Sequence, residues 1–180
     1  MKRVFQLLAI TFLVSACQEQ QKIGFVNNGD VLDKYQMKID IEDVYKERNE
    51  IFTKRMDSID KAFQVEVKAF QLAADRMSQR KAQEEYNKLG QKNQALTQQF
   101  QKDQAILQQG FNKEMDSVVN RMRDFVEDYG KKNGYAFILG QNEAGSVLYG
   151  AEATDLTQAI TDALNAEYNS EDETTTEENK

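Results

Sequence analysis

The sequence predicts an α+β protein, a small three-stranded β base carrying a long antiparallel α-helical coiled-coil hairpin arm. Three observations lead there. Residues 36–132 contain no proline, and only Gly90 and Gly110 interrupt them. Their apolar side chains recur in steps of three and four, the spacing that lines one stripe of a helix. Short apolar segments of β character, residues 22–27, 135–139 and 146–149, lie on either side of that stretch.

The helical stripe reads Ile41, Val44, Ile51, Met56, Ile59, Phe63, Val67 and Phe70 in its first half. Tyr86, Leu89, Leu96, Phe100, Leu107, Phe111, Met115, Val118, Met122, Phe125 and Tyr129 continue it. The pattern breaks over residues 73–78, where Ser78 is placed to cap a new helix. Two helices of about 45–55 residues, folded back on each other, would reach about 65–80 Å at about 1.5 Å per residue. Arg48 and Arg55 intrude on the first seam, Asn93 and Asp103 on the second. Polar seam positions weaken a coiled coil while helping to fix its register. From Asp103 through Leu107 and Phe111 to Met115 the steps are all fours, a stutter that unwinds a supercoil locally. Gly110 lies inside it, which predicts a bend or soft point there.

Composition agrees with a rod. Of 180 residues 29% are charged, Trp and Pro are absent, and the net charge is -7. The acidity sits at the two ends. Around the hairpin tip Lys68, Arg76, Arg80, Lys81, Lys88, Lys92 and Lys102 face only Asp75, Glu84 and Glu85. Such an end either attracts anionic chains, with strong salt dependence, or is a solvated helix face.

Residues 1–16 read as a secretory signal peptide. Lys2 and Arg3 precede an apolar run of about eleven residues, too short to span a bilayer comfortably. The ending Leu13-Val14-Ser15-Ala16-Cys17 resembles a bacterial lipobox. That resemblance implies cleavage before Cys17 and lipidation of this sole cysteine, after which no disulfide can form. Residues 17–21 are then a tether. Residues 22–27 form a strand buried on both faces, Asn28-Gly29 turns the chain, and Asp30 caps a helix that runs on into the arm. Lys131, Lys132 and Gly134 end the second arm helix. Residues 135–139 and 146–149 follow as a strand hairpin. A last helix opens at 153–155, with Leu156, Ile160, Ala163 and Leu164 on one side. Residues 22–35 and 133–168 thus form the base and 36–132 the arm. From 169 to 180 an acidic, Thr-rich tail is expected to be disordered.

Read together, Ile23-Gly24-Phe25-Val26-Asn27, Tyr135-Ala136-Phe137-Ile138-Leu139, Gly145-Ser146-Val147-Leu148-Tyr149-Gly150 and Asp155-Leu156-Thr157 carry a resemblance. In their order and spacing around a charged helical hairpin, they resemble the OmpH/Skp-like periplasmic chaperones over residues 22–168. The resemblance implies a homotrimer in which three strand bases join into a barrel-like body, with three hairpins around a central cavity. Ile23, Phe25, Val26, Phe137, Ile138, Leu139, Val147 and Tyr149 would form that oligomer base. Independently, about sixty residues with three short strands are too few to bury their own apolar faces. The better-known members are soluble and strongly basic, whereas this chain is acidic and carries a lipobox. That departure leaves lipopolysaccharide binding and a strongly electrostatic grip on cargo open.

Catalysis is not expected. There is no His, and the one Cys is assigned to lipid, so the usual hydrolase and zinc arrangements lack their members. Glu42-Asp43 and Glu84-Glu85 are adjacent and do not converge on a helix. Asn27-Asn28-Gly29-Asp30 is a turn, with no phosphate loop around it. No cofactor, metal or nucleic acid is expected. Two function classes remain. One is an ATP-independent holdase for unfolded outer-membrane proteins on the periplasmic side of the envelope, with Lys68, Arg76, Arg80, Lys81, Lys88 and Lys92 touching cargo. The alternative is a lipid-anchored coiled-coil scaffold or spacer for a defined envelope partner. Which membrane holds the anchor stays open.

Overall fold

The computed structural model describes residues 21–142 and 145–178, with side chains as far as residue 171. The expected signal peptide and the expected lipidation at Cys17 fall outside the described residues. Two compact units share the chain: residues up to Val31 with Arg123–Leu164, and Leu32–Met122 with the residues from Asn165 onward.

In the first unit, β1 (Lys22–Asn27) and β2 (Tyr135–Gln141) pair in parallel, Ile23 opposite Phe137 and Phe25 opposite Leu139. A parallel pair needs a long crossover, and the helices between the strands supply it. The register sets Ile23, Phe25, Phe137 and Leu139 on one face and Gly24, Val26 and Ile138 on the other. On the second face a Cβ at Gly24 would stand 2.5 Å from Leu156 Cδ1, and one at Gly130 would stand 3.3 Å from Ile138 Cδ1. On the first face Gly150 lies so close to the Phe25 ring that a Cβ there would be 2.3 Å away. Phe25, Val26, Val31, Leu156, Ile160 and Leu164 are buried. The expectation that β1 is covered on both faces fails at Ile23, which stays 47% exposed.

Among the described residues the base has two strands where three are expected. Residues 146–149 form none, and Leu148 and Tyr149 are almost fully exposed. The free edge of β1 is occupied instead by the start of the last helix. Asp155 bridges Phe25, the Leu156 N–H donates to the Phe25 carbonyl at 2.8 Å, and the Asn27 N–H donates to Thr157 Oγ1 at 2.9 Å. Helix α1 (Asn28–Lys34) is capped by Asn27 and not by Asp30. Asn27 Oδ1 accepts from the Gly29 and Asp30 N–H groups at 3.0 and 3.2 Å.

In the second unit α2 (Gln36–Ala74) and α3 (Gln79–Lys132) make the helical hairpin; the last turns of α3 belong to the first unit. With 39 and 54 residues they are less equal than expected. At about 1.5 Å per residue they measure about 58 and about 81 Å. The turn falls where the pattern breaks, and Ser78 Oγ accepts from the Lys81 N–H at 3.4 Å. The helix of α1 does not run on into α2. Tyr35 is extended (φ -75°, ψ 117°), with its ring fully buried and edge-on to Tyr168. α3 runs unbroken through Gly110, where a Cβ would lie 2.7 Å from Tyr45 Oη. The glycine makes room for a ring from α2.

Just ahead of β2, Gly134 (φ 69°) takes the left-handed position that ends α3, as expected. Residues 152–154 form a short 3-10 turn, and α4 runs Thr157–Glu178. The tail expected to be disordered therefore continues a helix. Arg121 of α3 pairs with both Glu167 and Glu171, one turn apart, and so holds α4 in helical form past Ser170.

Candidate functional site

The hairpin seam is built from rings. Tyr45 meets Phe111 edge-on at 5.4 Å, and Phe52 stacks on Phe100 at 5.4 Å with 28° between planes. Toward the tip Lys92 Nζ reaches Glu66 Oε1 at 2.5 Å. The partners climb one helix as they descend the other, as an antiparallel pair must. Between these contacts lie two open grooves. One of about 290 Å³ is lined by Met56, Ile59, Phe63, Asn93, Leu96 and Phe100, among others. The other, about 320 Å³, lies among Tyr45, Asn49, Gln104, Leu107 and Phe111. Not one residue of α2 is buried.

The seam is not the expected one throughout. Met56, Ile59, Phe63, Val67 and Phe70 do line the inner side, half-buried. Val44 and Ile51, expected in the same stripe, are 45% and 58% exposed, and Tyr45 and Phe52 take their places. The long rings bridge the gap between the helices where the shorter aliphatic chains point aside. Val44 and Ile51 belong instead to a second, outer column. With Val65 (66% exposed) and Leu72 (83%) they recur every seven residues, only Ser58 interrupting.

Residues three and four positions away flank that column on a helix. On one side stand Arg48 and Arg55, on the other Lys54, Lys61 and Lys68, with Arg76 in the turn just past the end of α2. The acidic residues in these flanking positions, Asp40, Glu47 and Asp75, lie at the column's two ends. Lys54 makes a loose pair with Glu50 at 4.0 Å, and the Arg48 guanidinium lies 4.8 Å over the Tyr45 ring. An apolar strip with cationic edges suits an extended partner carrying apolar and acidic side chains. Lys54, Arg55 and Lys61 were missed as site residues; a count in sevens from Val44 finds the column they flank.

All six of the expected basic residues at the tip are exposed. Three are engaged: Arg80 with Glu84 at 3.4 Å, Lys88 with Glu85 at 2.8 Å, and Lys92 with Glu66. The hydrogen bond between Lys88 and Glu85 raises the amine's pKa and lowers the carboxyl's. Lys68, Arg76 and Lys81 make no ion pair among the described residues. Of the expected oligomer-base residues, Phe25 and Val26 are already buried within the chain, and Ile138 and Val147 are half-buried. Ile23, Phe137, Leu139 and Tyr149 remain exposed. Among the described residues no three His, Cys, Asp or Glu side chains gather as metal ligands, and no helix is long and apolar enough to cross a membrane.

No curated protein sequence matches the chain significantly. Among solved structures, a crystal structure from Caulobacter crescentus, described as an OmpH-like outer membrane chaperone, superposes with a TM-score of 0.73 at 15% identity, over 82% of this chain and 86% of that one. The family model for OmpH-like outer membrane proteins matches residues 22–164, nearly the whole stretch from β1 to Leu164 of α4. The chain is therefore a member of the OmpH-like outer membrane protein family.

Proposed function

We propose that this protein is an ATP-independent holdase chaperone of the periplasm, a homotrimer whose helical arms bind unfolded outer-membrane proteins. The outer column of α2 carries this reading: four exposed aliphatic side chains in sevens, edged by cations along a helix without a buried residue. A helix that served only to pair with α3 would not keep a second apolar column in water. Unfolded barrel strands offer alternating apolar side chains that otherwise pair edge to edge. Contacts of about 1 kcal/mol each, typical of partial burial, would hold such a chain without dictating its sequence. The cations would act chiefly on encounter, and so on capture rate. The family assignment and the Caulobacter neighbour described as a chaperone support the same reading.

The trimer part rests on Ile23, Phe137, Leu139 and Tyr149, exposed apolar residues that neighbouring subunits would cover. The lipid on Cys17 would tether the assembly to one membrane of the envelope. Light scattering of a urea-denatured barrel protein, diluted with and without an equimolar amount of trimer, tests the proposal. Suppressed scattering is expected. Aggregation that proceeds unchanged refutes the holdase and leaves a spacer that binds one defined partner.

A further inference from the structure

The family match ends at residue 164, yet the residues just beyond it make specific contacts with the root of the arm. At the break between α1 and α2, extended Tyr35 leaves backbone groups on both sides without helical partners. Asn165 supplies both: its Oδ1 accepts from the Gln36 N–H at 2.8 Å, and its Nδ2 donates to the Lys34 carbonyl at 2.9 Å. One side-chain amide thus stands in for a peptide unit across the break. One turn on, the Tyr168 ring packs edge-on against buried Tyr35 at 6.0 Å, and its hydroxyl donates to Asp40 Oδ2 of α2 at 3.1 Å. Glu167 and Glu171, on the same segment of α4, pair with Arg121 of α3, whose guanidinium also lies 5.8 Å from the Tyr168 ring. Residues 165–171 therefore touch both arm helices at their root and fasten the one place where the backbone leaves helical geometry.

We propose that residues 165–171 are a lock on the arm root, closing the Tyr35 break as a hinge and tying α2 to α3. Buried apolar packing alone would hold the two helices side by side but would leave φ and ψ at Tyr35 free to change. The Asn165 amide removes that freedom, and the Arg121 pair joins the locked root to the second helix. The lock concerns arm motion and stands whether or not the arm holds unfolded chains.

The test uses the full mature chain with Cys17→Ser. Asn165→Ala removes both backbone bonds; Asn165→Asp keeps the acceptor for Gln36 but loses the donor to Lys34. Arg121→Gln breaks the tie to α3. Hydrogen exchange over residues 32–45 should accelerate at least tenfold in Asn165→Ala and by less in Asn165→Asp, with β1 and residues 156–164 unchanged. Spin labels at exposed positions 54 and 102, level with each other on the two helices by the Tyr45–Phe111 and Phe52–Phe100 contacts, should give a broader distance distribution in Asn165→Ala and Arg121→Gln than in the parent. Unchanged exchange and width in these variants overturn the lock. Acceleration spread evenly over residues 22–164 also overturns it, because Asn165 would then be an ordinary stabilising contact.

Discussion

Val31, Ile160 and Leu164 of the strand-bearing unit are wholly buried, whereas α2 runs for 39 residues without a buried side chain. Both regions are rich in apolar residues, so composition does not make the difference. In the first unit two strands, a crossing segment and the start of α4 surround the same side chains from several directions. In the hairpin each helix has one neighbour, and a side chain on the far side meets water. Cooperative stability is thus concentrated in the first unit. The hairpin is held by many shallow contacts, the kind of region that opens locally at low free energy. The root is the exception, with Tyr35, Val118 and Met122 buried.

Matched truncations give the largest contrast. Ile160→Ala should cost about 2–5 kcal/mol by urea denaturation, as a buried site that cannot collapse fully does. Ile51→Ala, on the outer column, should change stability by about 0.5 kcal/mol or less. Equal costs would mean that Ile51 is covered in solution. Next comes the strand face. Gly24→Ala sets a methyl 2.5 Å from Leu156 and should cost about 1–3 kcal/mol through overpacking.

The arm glycines should behave in the opposite sense. A Cβ at Gly90 meets nothing within 4 Å, so Gly90→Ala should stabilise α3 by about 1 kcal/mol. Gly110→Ala should fall short of that gain, because Tyr45 must move its hydroxyl end aside. Melting temperatures of the two variants, measured together, decide the order.

A further effect appears only in alkali. Burial pushes the Tyr35 hydroxyl up to about 12, while in the unfolded chain it titrates near 10. The folded state keeps its proton between those values, so stability intact below about pH 10 declines as pH rises toward 12. Among the described residues the buried hydroxyl also has no hydrogen-bond partner. Tyr35→Phe should therefore be neutral or slightly stabilising at pH 7 and should decline less from pH 10 to 12. Urea midpoints at pH 7 and pH 11 check both statements.

The order of elements was legible because each has a local cause. Ser78, Gly134 and the lysines ahead of Gly134 mark helix ends that follow from spacing alone. The third strand was not legible as absent, since Ser146-Val147-Leu148-Tyr149 has β composition and only the folded chain reveals that Asp155 reaches Phe25 first. The break at Tyr35 was hidden for a similar reason. Its causes, Asn165 and Tyr168, lie about 130 residues away, and no local rule forbids helix there. The seam was read in the wrong column at Val44 and Ile51, because adjacent apolar residues, Val44-Tyr45 and Ile51-Phe52, fit helical spacing equally well. Side-chain length chose between them. At the candidate site the basic tip was legible from charge, whereas its internal pairs, such as Lys92 with Glu66, required the hairpin register.

The central claim is that the outer column of α2 is kept exposed in order to hold unfolded chains. Site-specific photocrosslinking tests it most directly, with a benzophenone residue placed at Val65 or Leu72 and, as a control, at exposed Gln101 on α3. A urea-denatured outer-membrane barrel protein is then added at low salt. The account predicts strong crosslinks to the barrel protein from 65 and 72 and weak ones from 101. Crosslinks of equal strength at all three positions, or none from the column, would contradict it.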